Sequence, residues 1–185
     1  MTSIDPNEAA SALSDIESIA RRVRQSTMYR VSSLLTILWG VLVFAGDIAS
    51  FLWPRSAGLI WIAVYVAGIA GSFGISAAGY SRTGVRTVDV RMLLAYLMFI
   101  AFGLFCCWLG HFTAARQIGT FWAIYFMLVY SIVGLWVGYT FVAIGLSITA
   151  LTLIGYFFVG DWFEPWMAVV NGGGLILGGL WMRRG

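Results

Sequence analysis

The chain of 185 residues contains no lysine, one histidine and two cysteines, and only 10% of its residues are charged. Because a P-loop needs a lysine, the glycine run Gly172 to Gly174 cannot be one. A haem held by two histidines is excluded by the single histidine. Cys106 and Cys107 are adjacent and cannot build a disulfide framework. The low charge excludes an ordinary soluble domain, in which about 25% of residues are charged.

Signatures of catalysis are also missing. The sequence has no serine–histidine–acid spacing and no glycine-flanked serine elbow, so we expect neither an enzyme nor a cofactor. One metal alternative stays open, because Cys107 and His111 are four residues apart and thiolate and thioether ligands suit Cu(I). The methionines of neighbouring apolar segments would complete that site: Met98, Met127 and Met167. Since buried cysteine behaves as a small hydrophobe, we predict no metal.

Long apolar runs account for most of the chain, 61% of which is hydrophobic. A run of about 18 or more such residues with few charges is typical of a transmembrane helix. The uncharged stretch 119–160 would be about 60 Å long as one helix, so it must reverse, most simply at Gly134 to Gly138. The sequence therefore predicts an all-α membrane protein with a six-helix transmembrane domain over residues 29–185. The predicted spans are about 31–53, 57–80, 92–112, 119–137, 138–159 and 163–182.

The arginines are distributed unevenly between the two sides of these six spans. Only Arg55 and Arg116 fall on the outer side. The inner set is Arg21, Arg22, Arg24, Arg30, Arg82, Arg86, Arg91, Arg183 and Arg184. Because positive charge near span ends stays in the cytoplasm, we predict a multi-pass membrane protein with both termini inside. The arginines follow membrane ends and form no continuous basic face, so we expect no nucleic-acid partner.

Residues 1–28 are predicted to form one amphipathic cytoplasmic helix. Asp5-Pro6-Asn7-Glu8 has the pattern of a capping box with proline at the first helical position. No apolar core of a cleavable signal peptide is present there, so the first span is expected to direct its own insertion. The helix either lies on the lipid surface or docks a cytoplasmic partner or a second copy of the chain. Its contact stripe would be Leu13, Ile16 and Val23, with Ala20 between them.

Small residues mark close helix packing, since lipid gives helices no hydrophobic drive to associate. The second span is so rich in them that we expect it to be central in the bundle. The sixth span contains Gly174-xxx-Gly178 and the fourth contains Gly134-xxx-Gly138. Internal packing and a homodimer face are both open for these motifs.

Asp47 is the most informative single residue. It lies about six residues, or roughly 9 Å, inside the outer end of the first span. An aspartate at a helix centre costs about 2.5–3.5 kcal/mol on insertion scales, so it is expected to face the bundle or a wet cavity. Tyr65, His111 and Asn171 fall at comparable outer depths and complete a candidate polar site. Three interpretations are open: a hydrogen-bonded clasp, an outward-opening site for a proton or small solute, or exposure at a thin membrane edge.

Three stretches carry a resemblance to a known class of protein. They are Arg21-Arg22-Val23-Arg24, Leu35-Thr36-Ile37-Leu38-Trp39-Gly40, and the ending from Trp166-Met-Ala-Val-Val-Asn-Gly-Gly-Gly to Arg183-Arg184. The chain resembles small uncharacterised multi-span bacterial inner-membrane proteins, some of which accompany winged-helix regulators. The resemblance implies the architecture and no activity.

Two functions are consistent with these patterns. The first is a non-enzymatic membrane protein that binds partners or senses a signal, alone or as a homodimer. Its expected partners are the surrounding lipid bilayer and a cytoplasmic protein bound at the N-terminal helix. The alternative is a small channel or transporter that uses the outward-opening polar site around Asp47.

Overall fold

The computed structural model describes residues 30–83 and 90–183, apart from the side chains of 79–83 and 90–93. Within these residues the chain is helical and contains no strand, so the all-α prediction is confirmed there. The predicted cytoplasmic helix, with Leu13, Ile16 and Val23, lies outside the described residues.

The described residues form five helices followed by an interrupted helical segment, which we call the sixth pass. They are α1 (Arg30–Leu52), a 3-10 turn (Pro54–Ser56), α2 (Ala57–Thr83), α3 (Val90–Leu109), α4 (Ala115–Val137), α5 (Tyr139–Phe158), a 3-10 turn (Gly160–Trp162), α6 (Phe163–Met167), a π-helical segment (Ala168–Gly173) and α7 (Gly174–Met182). Four described segments are long and apolar enough to cross a membrane: Arg30–Leu52, Pro54–Ala78, Ala115–Val137 and Tyr139–Phe158. These segments indicate a membrane location.

The distribution of polarity is the reverse of that in a soluble protein. Large apolar side chains such as Leu59, Trp108 and Phe158 are exposed on the outside of the bundle. The buried polar side chains of the described residues are Ser33, Thr36, Asp47, Ser50, Thr120 and Thr152. An apolar exterior of this extent marks an interaction surface, and lipid is the partner that suits its length and composition.

α4 and α5 pack against each other along their length. Gly138 alone joins α4 to α5, with φ 154° and ψ 151°, a conformation that residues with a Cβ rarely adopt. Past this turn the two helices are in backbone contact, since a Cβ on Gly134 would meet the Val142 nitrogen at 2.6 Å. The chain thus reverses within the stretch for which the sequence predicts a reversal.

The interrupted sixth pass lies between α5 and α1. On one side, a Cβ on Gly178 would meet Ile144 of α5 at 2.5 Å. On the other, a Cβ on Gly40 would meet the Gly172 carbonyl oxygen at 2.8 Å, and Ser33 donates a 2.6 Å hydrogen bond to the Gly179 carbonyl. Gly172, Gly178 and Gly179 therefore serve internal packing.

The expectation that the second span is central is wrong. Most of α2 is exposed, and Val64 and Gly68 are the buried residues among its described side chains. It touches α1 through Trp39, whose indole donates to Ser72 at 3.2 Å. Small residues permit close approach but do not require it, and no described atom lies within 4 Å of a Cβ built on Gly74. A homodimer through this face stays a prediction.

The third span ends earlier than expected. α3 stops at Leu109, and His111 follows with φ 50°, a left-handed conformation that breaks the helix. Cys107 and His111 therefore do not share a helix face, contrary to the geometry on which the metal alternative depends. Among the described residues no three histidine, cysteine, aspartate or glutamate side chains form a metal-binding group.

Candidate functional site

A cavity of about 300 Å³, partly open, lies at one end of the bundle. It is enclosed where α1 ends and where α2, α4 and α6 begin. Its lining residues are Asp47, Ser50, Ala57, Gly58, Trp61, Tyr65, Ala115, Ile118, Gly119, Trp122, Phe163, Glu164 and Met167. This end of the bundle corresponds to the side that the arginine distribution predicts to be outside.

α1 contributes two buried polar side chains, Asp47 and Ser50. They are one helical turn apart and so share a face. Asp47 is 4% exposed and Ser50 is 5% exposed. Neither Oδ2 of Asp47 nor Oγ of Ser50 has a hydrogen-bond partner among the described residues. Because an unsatisfied buried polar group costs about 1–3 kcal/mol, this pair calls for a functional explanation.

α2 supplies an aromatic wall opposite this pair. Trp61 and Tyr65 are four residues apart, and their ring centroids lie 5.9 Å from each other. The Tyr65 ring is also 6.2 Å from that of Trp39 on α1, which fixes the wall against the neighbouring helix. Ala57 and Gly58 precede the wall and leave room at the mouth of the cavity.

The remaining sides come from α4 and α6. Trp122 of α4 adds a second indole to the lining. Glu164 of α6 adds a second carboxyl group, in the first helical turn, where a negative charge suits the helix dipole. No arginine of the described chain forms an ion pair with Asp47 or Glu164. The cavity thus combines two acidic groups with aromatic surface.

Arg116 lies beside the cavity but is directed elsewhere. The sequence predicts it in an outer loop, yet α4 begins at Ala115 and places it in the first helical turn. Its guanidinium donates to the carbonyl oxygens of Tyr156 and Gly155 in the last turn of α5, where the helix dipole favours a cation. It also lies 5.3 Å from the ring centroids of Tyr156 and Phe163. Arg116 is therefore occupied in joining α4 to α5 and is not a lining residue.

Two of the four side chains predicted for the polar site meet in this cavity. Asp47 and Tyr65 both line it. His111 is exposed in the turn after α3 and does not line it. Asn171 lies in the π-helical segment, four residues beyond Met167, and its Oδ1 is buried without a partner among the described residues. The proposed role of these residues stays a prediction.

Sequence reasoning does not assign Ser50, Trp122 and Glu164 to the site. Ser50 carries a usable signal, since it follows Asp47 by three residues on the same helix face. Glu164 does not, because an acidic residue in an outer turn is ordinary. Its position beside Asp47 depends on how α6 packs.

The interruption of the sixth pass adjoins the cavity. Glu164 and Met167 line the cavity immediately before the π-helical segment Ala168–Gly173. Within that segment, a Cβ on Gly172 would meet the Phe44 backbone at 2.6 Å, one turn from Asp47 on α1. Short π-helical segments inside α-helices occur frequently at functional sites. The cavity and the break are thus linked through α1.

No protein-family model matches the chain, and no curated protein or solved structure is significantly similar to it. The chemistry of the cavity is therefore argued from its own residues.

Proposed function

We propose that the chain crosses a bacterial inner membrane six times, with both termini in the cytoplasm. Support comes from the four long apolar helices and from two further apolar helical segments. α3 has 20 residues, about 30 Å of helix, and Phe163 to Met182 is of similar length. The arginine distribution supports the orientation.

Within that architecture, the chain acts as a small transporter whose solute binds in the cavity around Asp47. The observation that carries this proposal is the Asp47 carboxyl, which is almost fully buried, faces the cavity and has an oxygen without a partner among the described residues. An ionisable side chain inside a membrane segment that faces a cavity commonly marks a solute or proton path. A purely structural clasp would instead have its buried oxygens hydrogen-bonded.

The carboxyl also suggests how transport is driven. A buried carboxylate without a counter-charge is strongly unfavourable, so Asp47 has to hold either a proton or a positively charged group. Binding one releases the other. Exchange at a single carboxyl therefore couples solute movement to protons without a second site.

The broken sixth pass supplies a place for movement. Transporter sites are commonly formed where membrane helices are discontinuous. Here the π-helical segment lies next to the lining residues Glu164 and Met167. A change in hydrogen-bond register in this segment would move both side chains relative to Asp47.

The other predicted function, partner binding or sensing through Leu13, Ile16 and Val23, concerns residues outside the described structure. It stays a prediction, as do a cytoplasmic partner and a homodimer.

Cysteine accessibility tests the transport proposal. In a protein with Cys106 and Cys107 replaced by serine, Ser50→Cys should react with a small membrane-impermeant methanethiosulfonate from outside in intact cells. It should also react from the cytoplasmic side in inverted membrane vesicles, because a transporter opens its site alternately to both sides.

Thr152→Cys is the matched control, since Thr152 is fully buried on α5 and does not line the cavity. It should stay unmodified from both sides. Modification of Ser50→Cys from the outside alone would rule out transport through this cavity and leave a binding pocket.

A further inference from the structure

We infer that the cavity around Asp47 binds a small protonated organic amine. This inference rests on the proposed function and specifies the solute. It depends on three features of the cavity: its charge, its aromatic surface and its unpaired hydrogen-bond acceptors.

The charge of the lining favours a cation. Asp47 and Glu164 are its two ionisable acids, and no arginine or histidine is among the lining residues. The nearest described cation along α4, Arg116, is held by carbonyl oxygens of α5. No described arginine therefore pairs with either carboxyl group, and an entering cation can replace the Asp47 proton in a site where burial strengthens the attraction.

The aromatic surface favours an organic cation over a metal ion. Trp61, Tyr65 and Trp122 line the same space, and indole and phenol faces attract ammonium groups, indole most strongly. Hard metal ions instead need about six or more oxygen ligands at short distance. Two carboxyls and a serine hydroxyl in about 300 Å³ do not supply that shell, but they leave room for an alkyl chain.

The unpaired acceptors favour an amine that still carries N–H groups. Oδ2 of Asp47 and Oγ of Ser50 lie one turn apart and have no partner among the described residues. A protonated primary amine donates up to three hydrogen bonds and could satisfy both atoms, whereas a quaternary ammonium could satisfy neither. The apolar residues of the lining, such as Met167 and Ile118, would then contact its hydrocarbon part.

Three probes of similar size separate these contributions. Isothermal titration calorimetry uses the purified full-length protein in lipid nanodiscs at pH 7, with protein-free nanodiscs as the blank. 3-Methylbutylamine is a cation with N–H donors, tetramethylammonium is a cation without them, and 3-methylbutan-1-ol is neutral. We expect the amine to bind at least tenfold more tightly than the alcohol, with tetramethylammonium between them. Equal binding of amine and alcohol, or tighter binding of tetramethylammonium, would overturn the inference.

Variants place the binding in the cavity. Asp47→Asn should weaken amine binding at least tenfold, and Trp61→Leu about threefold or more. Asp161→Asn is the matched control, because Asp161 lies three residues before Glu164, in the 3-10 turn, but does not line the cavity, and the affinity of this variant should be unchanged. Unchanged amine affinity in folded Asp47→Asn protein, with folding checked by circular dichroism, would also overturn the inference. The probe comparison needs no variant and decides the matter even if Asp47→Asn fails to fold.

The two proposals fail separately. If Ser50→Cys reacts from both sides but the amine binds no better than the alcohol, transport stands and the solute class is wrong. If the amine binds as expected but Ser50→Cys reacts only from outside, the solute class stands and transport is wrong.

Discussion

The buried polar side chains of α1 either join it to another helix or face the cavity with unpaired atoms. Ser33 reaches the Gly179 carbonyl of α7, and the Thr36 hydroxyl lies 3.0 Å from the Tyr130 hydroxyl of α4. Asp47 and Ser50, further along the same helix, have buried atoms without a described partner. Hydrogen bonds thus attach the first half of α1 to other helices, whereas its second half supplies unpaired polar atoms to the cavity.

Replacing Tyr130 by phenylalanine tests the hydrogen-bonded half. The change removes the contact to Thr36, which is buried, while keeping the ring. We expect the free energy of unfolding to fall by about 0.5–1.5 kcal/mol, in the range of interhelical hydrogen bonds. Reversible unfolding in mixed detergent and SDS micelles measures it. Tyr139→Phe, at an 87% exposed tyrosine, should leave stability unchanged, and a loss as large as that of Tyr130→Phe would refute the argument.

At this scale the sequence predicts part of the site. Asp47 is recognisable because an acid inside an apolar run is costly and needs a reason. The expected depth of Tyr65 in the membrane is enough to assign it to the site. The same argument assigns His111 to the site, but His111 does not line the cavity, because depth does not show where α3 ends. Glu164 becomes meaningful only through tertiary packing.

Among the helices, α1 and the sixth pass are in close backbone contact. Gly40 and Gly172 face each other across it, and neither has room for a methyl group: a Cβ on Gly172 would meet Phe44 backbone atoms at 2.6 Å. At Gly173, the next residue, a Cβ would approach the Ala168 carbonyl oxygen at 3.9 Å, which is an ordinary van der Waals contact. Adjacent glycines therefore have different packing roles.

This difference predicts opposite outcomes for two neighbouring substitutions. Gly172→Ala should destabilise the protein by about 1–3 kcal/mol, because the backbone of α1 must move away to admit the methyl group. Gly173→Ala should be close to neutral. Thermal unfolding in detergent compares the two, and equal melting temperatures for both variants would show that this contact does not limit the packing.

The positions of the helices along the chain can be predicted from the lengths of the apolar runs. Which helices pack against each other cannot be predicted in this way. No sequence pattern marks the π-helical segment, which lies against α1 at Gly172. The three consecutive glycines, Gly172 to Gly174, indicate close helix packing but do not indicate that the helix is interrupted there. The small residues of α2 predict a central helix, because they allow contact on every side. In the structure α2 instead exposes Leu59, Ile62 and Val66, which are suited to contact with lipid.

For the whole molecule, orientation is the property on which the location of the cavity mouth depends. The cavity shares its end of the bundle with Arg55, in the turn between α1 and α2. With Cys106 and Cys107 replaced by serine, Ser56→Cys should react with an impermeant maleimide in intact cells. Gly185→Cys should react only after the membrane is permeabilised. Reaction of both from the same side would contradict the proposed topology, and the exchanged pattern would reverse its orientation.

Because the walls around Asp47 come from distant parts of the chain, the first helix leaves the ribosome long before its carboxyl has neighbours. α6, which carries Glu164 and Met167, is synthesised more than a hundred residues later, on the order of ten seconds at ordinary translation rates. During that interval α1 must be retained by its mean hydropathy of 2.0 despite an unshielded acid. Biogenesis of this protein is therefore most vulnerable at its first helix, in the time before its C-terminal segment arrives.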